Sequence, residues 1–592
     1  MTRWPLVAIL AITSPALALA ERPQAPAQLP GPPSGVRPGA PPGAQTPGLP
    51  PRDPRGTPAP QTGTARVRGR VVASPSGTPL RRAQITLASA ELPQQVRRVT
   101  TTDADGRFEF TELPAGRFTV NATKAGYVTL QFGQRRPFET GTPVSVADGQ
   151  VVERVDFGLP RGSVIVVGVT DEFGEPLVGV QIQIQRYQYG PDGQRRLAGV
   201  PGSTQPFSTT DDLGQFRAFG LMPGEYVIRA SMRTLGAAAG AGSEANEGFA
   251  PTFYPGTVSA DLAQAVSIGV GEEQAIQLPM VASRMGRVSG VVVDSEGRPA
   301  GGASITLVTV SGTSMSSSSV GTSAPDGSFT ANGIPPGEHT LRVTYRSGAE
   351  GESGSAPIMV GGDDVTGLQI ALGGGTTISG RVSFEGTTPR TGSAAAPRVT
   401  LQQTDQQRQM AFLGGPTDPL ANGTIDDEGN FRLSGASGRV FLNVTPPQPG
   451  WSIKSVVLDG EDVTDVPIDL TGRQALNDVR IVMTDTQTTV SGQVTNERGQ
   501  PVTDYVVVIM GAEQKEPVIA SRSIRVVRPD TNGRFQTRGI RPGRYVATAV
   551  EALEQGRQFA PEYQQRLRLS AKEFNLGEGE TTTVDLRLTP DL

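Results

Sequence analysis

Few residues of this 592-residue chain have side chains suited to covalent chemistry: it has one histidine, His339, and no cysteine. His339 would be the sole base of any Ser–His–acid relay, and a Cys–His pair is excluded. His339 also stands where Phe118, Tyr226 and Tyr545 stand in related segments, so it reads as a half-buried strand residue. Carboxylates cluster at Asp103-Ala104-Asp105-Gly106, Asp211-Asp212 and Asp426-Asp427-Glu428. A calcium loop of the EF-hand type needs further oxygens and a closing Glu at fixed spacing, and none of these runs supplies them. Side-chain capping of tight turns accounts for the acids instead. The sequence therefore predicts no catalytic residue, no metal site and no cofactor.

Aromatic residues are the remaining candidates, because the C–H faces of sugars stack on rings while their hydroxyls need polar partners. A Gly/Ala-rich insert from Leu235 ends in Gly248-Phe249-Ala250-Pro251-Thr252-Phe253-Tyr254-Pro255-Gly256, and Tyr187 and Tyr189 lie on an earlier hairpin of the same segment. Phe249, Phe253, Tyr254, Tyr187 and Tyr189 are the candidate carbohydrate-binding set, with loop packing as the alternative. Trp451 follows Gly450 as Tyr127 follows Gly126, which favours a core-edge role over a sugar platform.

These residues sit in a repeated strand–turn–strand unit. Asp105-Gly106-Arg107-Phe108 leads to Pro114-Ala115-Gly116-Arg117-Phe118. Gly214 and Phe216 lead to Gly224 and Tyr226, Gly327 and Phe329 to Gly337 and His339, and Gly533 and Phe535 to Gly543 and Tyr545. A degenerate copy runs from Gly429 and Phe431 to Gly438 and Val440. The first glycine supplies the positive φ of a tight turn, and the Phe two residues on enters a core. The second turn returns the chain so that the next aromatic enters the same core. Each copy opens on a strand with a central glycine, as in Val67-Arg68-Gly69-Arg70-Val71 and Val490-Ser491-Gly492-Gln493-Val494. About seven short strands per unit is a β-sandwich count.

Residues 1–20 read as a secretory signal: Arg3, an apolar stretch over 6–12, and Ala18-Leu19-Ala20 as the cleavage site. Residues 21–64 hold 14 prolines and read as an extended, disordered linker. No later stretch is long and apolar enough to be a transmembrane helix. The net charge of −4 and the lack of a basic stripe argue against nucleic acid. Without cysteine, stability rests on sandwich cores rather than disulfides. The opening strands carry no lysine, so no internal Lys–Asn cross-link is expected.

The ordered run V-x-G-x-V, G-x-P, D-G-x-F and P-G-x-Y resembles the carboxypeptidase regulatory-like domain. That resemblance implies a transthyretin-like sandwich grouped with carbohydrate-binding-like folds. In the metallocarboxypeptidases the domain follows a zinc peptidase domain, whose His and carboxylate ligands this chain cannot supply, so the resemblance implies no peptidase activity. The expected architecture is all-β. Five tandem antiparallel sandwiches, transthyretin-like or Ig-like, span 65–160, 161–282, 283–374, 375–486 and 487–592. Laid end to end they would reach on the order of 150–200 Å. The expected function is that of a non-catalytic exported binding scaffold at the periplasm, cell surface or outside the cell. Its expected partners are polysaccharide or envelope proteins; the alternative is a stalk or adhesion module with no small ligand.

Overall fold

A computed structural model describes residues 62–590, except 90–95, 201–207, 233–246, 312–313, 348–349, 388–396, 404–421, 448–449, 514–515, 518–521 and 531. The signal segment and nearly all of the proline-rich segment lie outside the described residues. So does most of the insert from Leu235; its end, from Glu247, is described.

The described chain is a succession of two-sheet sandwiches. In the first, the opening strand Ala65–Ser74 pairs antiparallel with Arg107–Leu113. The facing sheet contains Gln84–Ser89, Arg97–Thr101 and Gly116–Thr123. Alternate residues of each strand point inward, and the two inner faces form one core around Val67, Val71, Phe108, Phe118 and Phe157. The same plan recurs with opening strands Ser163–Thr170, Gly286–Val293, Thr376–Glu385 and Thr489–Thr495.

The sandwiches are not purely antiparallel. Each opening strand also pairs in parallel with the closing strand of its unit: Val71 with Phe157, Val164 with Glu273, Val288 with Val365, Ile378 with Leu476 and Val490 with Thr582. The chain crosses to the facing sheet before it returns, and that long connection is what a parallel pairing requires.

Two glycine positions explain the signature. Gly106 has φ +76°, and a Cβ there would lie 2.4 Å from the Val71 carbonyl oxygen. The opening-strand glycine is tighter still: a Cβ on Gly69, Gly290, Gly380 or Gly492 would lie within 2.2 Å of a closing-strand carbonyl oxygen. These four are register partners of Phe108, Phe329, Phe431 and Phe535. The ring is thus laid over a strand that has no side chain to displace it. Burying each such ring contributes roughly 2–3 kcal/mol.

The fifth unit departs from the plan. Its strands form one nine-stranded sheet that wraps around a core of Val490, Tyr505, Phe535 and Tyr545. Every residue from Val506 to Met510 is buried, because a helix, Pro561–Leu569, covers the outer face with Tyr563 and Leu567. No period in the sequence announced this helix.

An end-to-end string is not what forms. The fifth sandwich docks back on the first and second, and the cause is a segment of the first, residues 131–142. Phe138 inserts edge-to-face against Tyr226 of the second sandwich, with ring centroids 6.3 Å apart. The Arg186 guanidinium lies 3.5 Å over the Phe138 ring. The next residue, Glu139, pairs with Arg528 of the fifth sandwich at 3.3 Å, both side chains being at most 5 % exposed. Arg135 with Asp504, Arg136 with Glu551 and Arg186 with Glu554 complete the junction. The Gln555 N–H also donates to the Phe138 carbonyl at 3.0 Å.

Candidate functional site

The five aromatics proposed from sequence do not share a displayed face. Phe253 is 1 % exposed and packs with Leu197, Val227 and Ala260 under Arg229. Its ring therefore cannot present a face to a sugar. Burial also lowers the Arg229 pKa to about 10. Phe249 and Tyr254 are half-buried against the core of the second sandwich. Tyr187 is stacked by Arg195, and its hydroxyl donates to the Ala260 carbonyl at 3.4 Å. Tyr189 packs on the outer face of the fifth sandwich. Loop packing is where these rings go, because each finds an apolar neighbour or a guanidinium close by. Trp451 lies in the fourth core, 6 % exposed and edge-to-face with Phe384.

The acidic turns are occupied by their own backbone. Asp103 Oδ1 accepts from the N–H groups of Asp105 and Arg107 at 2.9 and 2.7 Å. Asp211 does the same for Leu213 and Gln215, and Asp530 for Asn532 and Arg534. Among the described residues no three His, Cys, Asp or Glu side chains are grouped to hold a metal ion. No helix there is long and apolar enough to cross a membrane.

His339 has both ring nitrogens engaged by the fold. Nε2 bonds the Pro335 carbonyl at 2.7 Å, and Nδ1 bonds Thr309 Oγ1 at 2.8 Å. The carbonyl can only accept, so Nε2 carries a proton, and in the neutral ring Nδ1 then accepts from the Thr309 hydroxyl. Burial lowers the histidine's pKa, partly offset by the bond to Pro335.

The same carbonyl four residues back is used in two other copies: the Tyr226 hydroxyl donates to Met222 at 2.6 Å and that of Tyr545 to Arg541 at 2.8 Å. Sequence reading missed this ring-to-carbonyl bond, although the presence of a donor in Tyr, His and Tyr was its signal. A second missed device is a buried hydroxyl just before the first turn. Thr102, Thr210 and Ser323 each accept from one main-chain N–H and donate to a carbonyl across the turn.

The turn that carries Tyr545 borders an open cleft. A cleft of about 670 Å³ lies between the fourth and fifth sandwiches. Strand Ser452–Leu458 and residues 484–488 form one side, and residues 511–513 and 539–545 the other. Its charges are largely paired within the wall: Lys454 with Glu578 at 2.7 Å and Glu385 at 3.0 Å, Arg541 with Asp465 at 2.5 Å, and Arg544 with Glu513 at 3.5 Å. The two carboxylates raise the Lys454 pKa, Glu578 most. Ser452, Ser455 and Thr486 add hydroxyls, and Gly511, Gly539, Gly543 and Gly579 bring main chain to the surface. The arrangement suits an uncharged ligand with many hydroxyls rather than an ion.

The carboxypeptidase regulatory-like domain family matches residues 66–160 and 287–373, the first and third sandwiches. Two units of this chain are carboxypeptidase regulatory-like domains. The ring-over-glycine pairing and the hydroxyl bridge described above are shared by both of these domains. No curated protein matches the chain. Solved structures similar to parts of it include the minor pilin GBS52 of Streptococcus agalactiae, at 13 % identity over 37 % of this chain and 95 % of that one, TM-score 0.20. The major pilin subunit BcpA of Bacillus cereus matches at 14 % identity over 52 % of this chain and 99 % of that one, TM-score 0.13. The shaft pilin SpaA of Lactobacillus rhamnosus GG matches at 15 % identity over 36 % and 97 %, TM-score 0.14.

Proposed function

We propose that this chain is an exported, non-catalytic scaffold that holds its sandwiches in fixed relation and binds a saccharide in the cleft between the fourth and fifth. One observation carries the reading. The turn of Tyr226 is filled by Phe138 from a neighbouring sandwich, whereas the equivalent turn of Tyr545 borders open, hydroxyl-lined space. The internally paired charges favour a neutral ligand, and the exposed main chain supplies donors and acceptors for its hydroxyls. The single histidine and the turn carboxylates are committed to the fold, which supports a binding role over catalysis.

The test is a glycan array and a peptidoglycan pull-down with the chain from residue 21 onward, beside the Ser455→Trp variant, whose indole would fill the cleft. Saccharide binding that the variant loses supports the reading. Binding that survives in the variant places the site elsewhere, and no saccharide binding at all leaves a scaffold without a small ligand.

A further inference from the structure

The repeats allow one surface to be compared with its own sister copies. At one end of each sandwich, two turns lie side by side: the turn after the opening strand and the turn before the core Phe. In the second sandwich they are residues 171–179 and 211–214. The Leu177 N–H donates to Val169, the Gly179 N–H to Thr210, and a Cβ on Gly214 would touch Pro176.

Three positions on these turns are apolar and exposed in the second sandwich. Phe173 is 84 % exposed, Leu213 65 % and Val178 56 %. The sister turns hold exposed polar residues instead. Ser76, Glu296 and Arg498 stand at the position of Phe173, and Asp105, Asp326, Glu428 and Asn532 at that of Leu213. Arg81 and Thr503 stand at that of Val178, which is Gly301 in the third copy. Turn formation therefore does not require the apolar side chains, and a cluster of exposed apolar groups on adjacent turns marks a contact surface.

The rim of the patch is acidic. Glu172, Glu175 and Asp212 are exposed, and neither turn contains a Lys or Arg. Arg217, just beyond, is paired with Glu273 at 2.9 Å. An acidic rim repels a second copy of itself and an anionic lipid surface, and attracts a basic one.

We propose that this end of the second sandwich docks a protein segment with an apolar centre flanked by Lys or Arg. Apolar contact with Phe173, Leu213 and Val178 supplies the attraction at the centre, and the rim carboxylates select the flanks. This surface is separate from the saccharide cleft and does not depend on it.

The test uses the chain from residue 21 onward and a fluorescent 12-residue peptide with a Leu-Phe-Leu centre and Lys/Arg flanks, read by anisotropy. Two control peptides replace the flanks with Glu or the centre with Ser. The expected result is binding that both controls weaken at least tenfold and that rising salt weakens. The triple variant Phe173→Glu, Leu213→Asp and Val178→Thr carries residues the sister turns already hold, and it should lower affinity at least tenfold with unchanged thermal unfolding. The single change Leu213→Asp, the residue of two sister turns, gives the same reading if the triple variant unfolds. Absence of binding, or binding indifferent to the substitutions, overturns the proposal. So does patch-dependent dimerisation in sedimentation, or patch-dependent binding to phosphatidylcholine vesicles.

Discussion

The second and fifth sandwiches carry the same Pro-Gly-x-Tyr turn and use it in opposite ways. In the second, Phe138 of the first sandwich covers the turn: its N–H approaches Met222 Sδ at 3.4 Å, and its ring would lie 3.0 Å from a Cβ on Gly224. In the fifth, the turn faces a cleft of about 670 Å³. The tyrosine hydroxyl makes the same internal bond in both. A turn that is self-sufficient in hydrogen bonds can thus be sealed by a neighbour or left open to a ligand, and what approaches from outside decides which.

The largest way to break the contrast is to unseal the covered turn. Glu139→Ala leaves the Arg528 guanidinium buried without its closest carboxylate contact, because Asp504 lies on its other nitrogen. Leaving a buried charge wholly unpaired costs about 3–5 kcal/mol, and the Asp504 contact that remains makes the loss here smaller than that. The expected outcome is earlier release of the fifth sandwich from the first in a urea titration, followed by protease sensitivity of residues 131–142.

A smaller change sharpens the comparison. Tyr226→Phe and Tyr545→Phe each remove one hydrogen bond, worth about 1 kcal/mol when the partner finds no substitute. At position 226 the turn is covered by Phe138, while at 545 it borders the open cleft. Chemical denaturation should show the larger loss for Tyr226→Phe.

The third copy gives the smallest and most specific effect. His339 replaces the tyrosine, and burial depresses its pKa below the ordinary value near 6.5. The folded state then binds fewer protons than the unfolded state as pH falls through 6.5. The stabilising contribution is complete above that pH and is lost below it. Thermal unfolding of the third sandwich should become pH-dependent as the pH falls below about 6.5, and His339→Tyr should remove that dependence.

Much of the fold was legible because its determinants are local. Gly106 must take positive φ, Phe108 must follow on the inward face, and Gly69 must lack a side chain beneath that ring. Each requirement leaves a mark at fixed spacing, so repetition exposed the sandwiches and their cores. The parallel closing strands left no such mark, since their partners lie far away in sequence. The candidate site fared worse. Phe253 and Tyr254 were candidates because they end a Gly/Ala-rich insert, but apolar surface nearby buries Phe253 and half-buries Tyr254. The cleft arises only when two sandwiches meet. Nothing local to Phe138 and Glu139 says that a distant Tyr226 and Arg528 await them.

The central claim is that the fifth sandwich is docked on the first. The natural chain has no cysteine, so Arg136→Cys with Glu551→Cys provides a single reporter pair across that contact. Treatment with a short bis-maleimide at high dilution should give one intramolecular link in the folded chain, found by mass spectrometry and abolished by urea. A folded chain that gives no such link, or only links between molecules, would contradict the account.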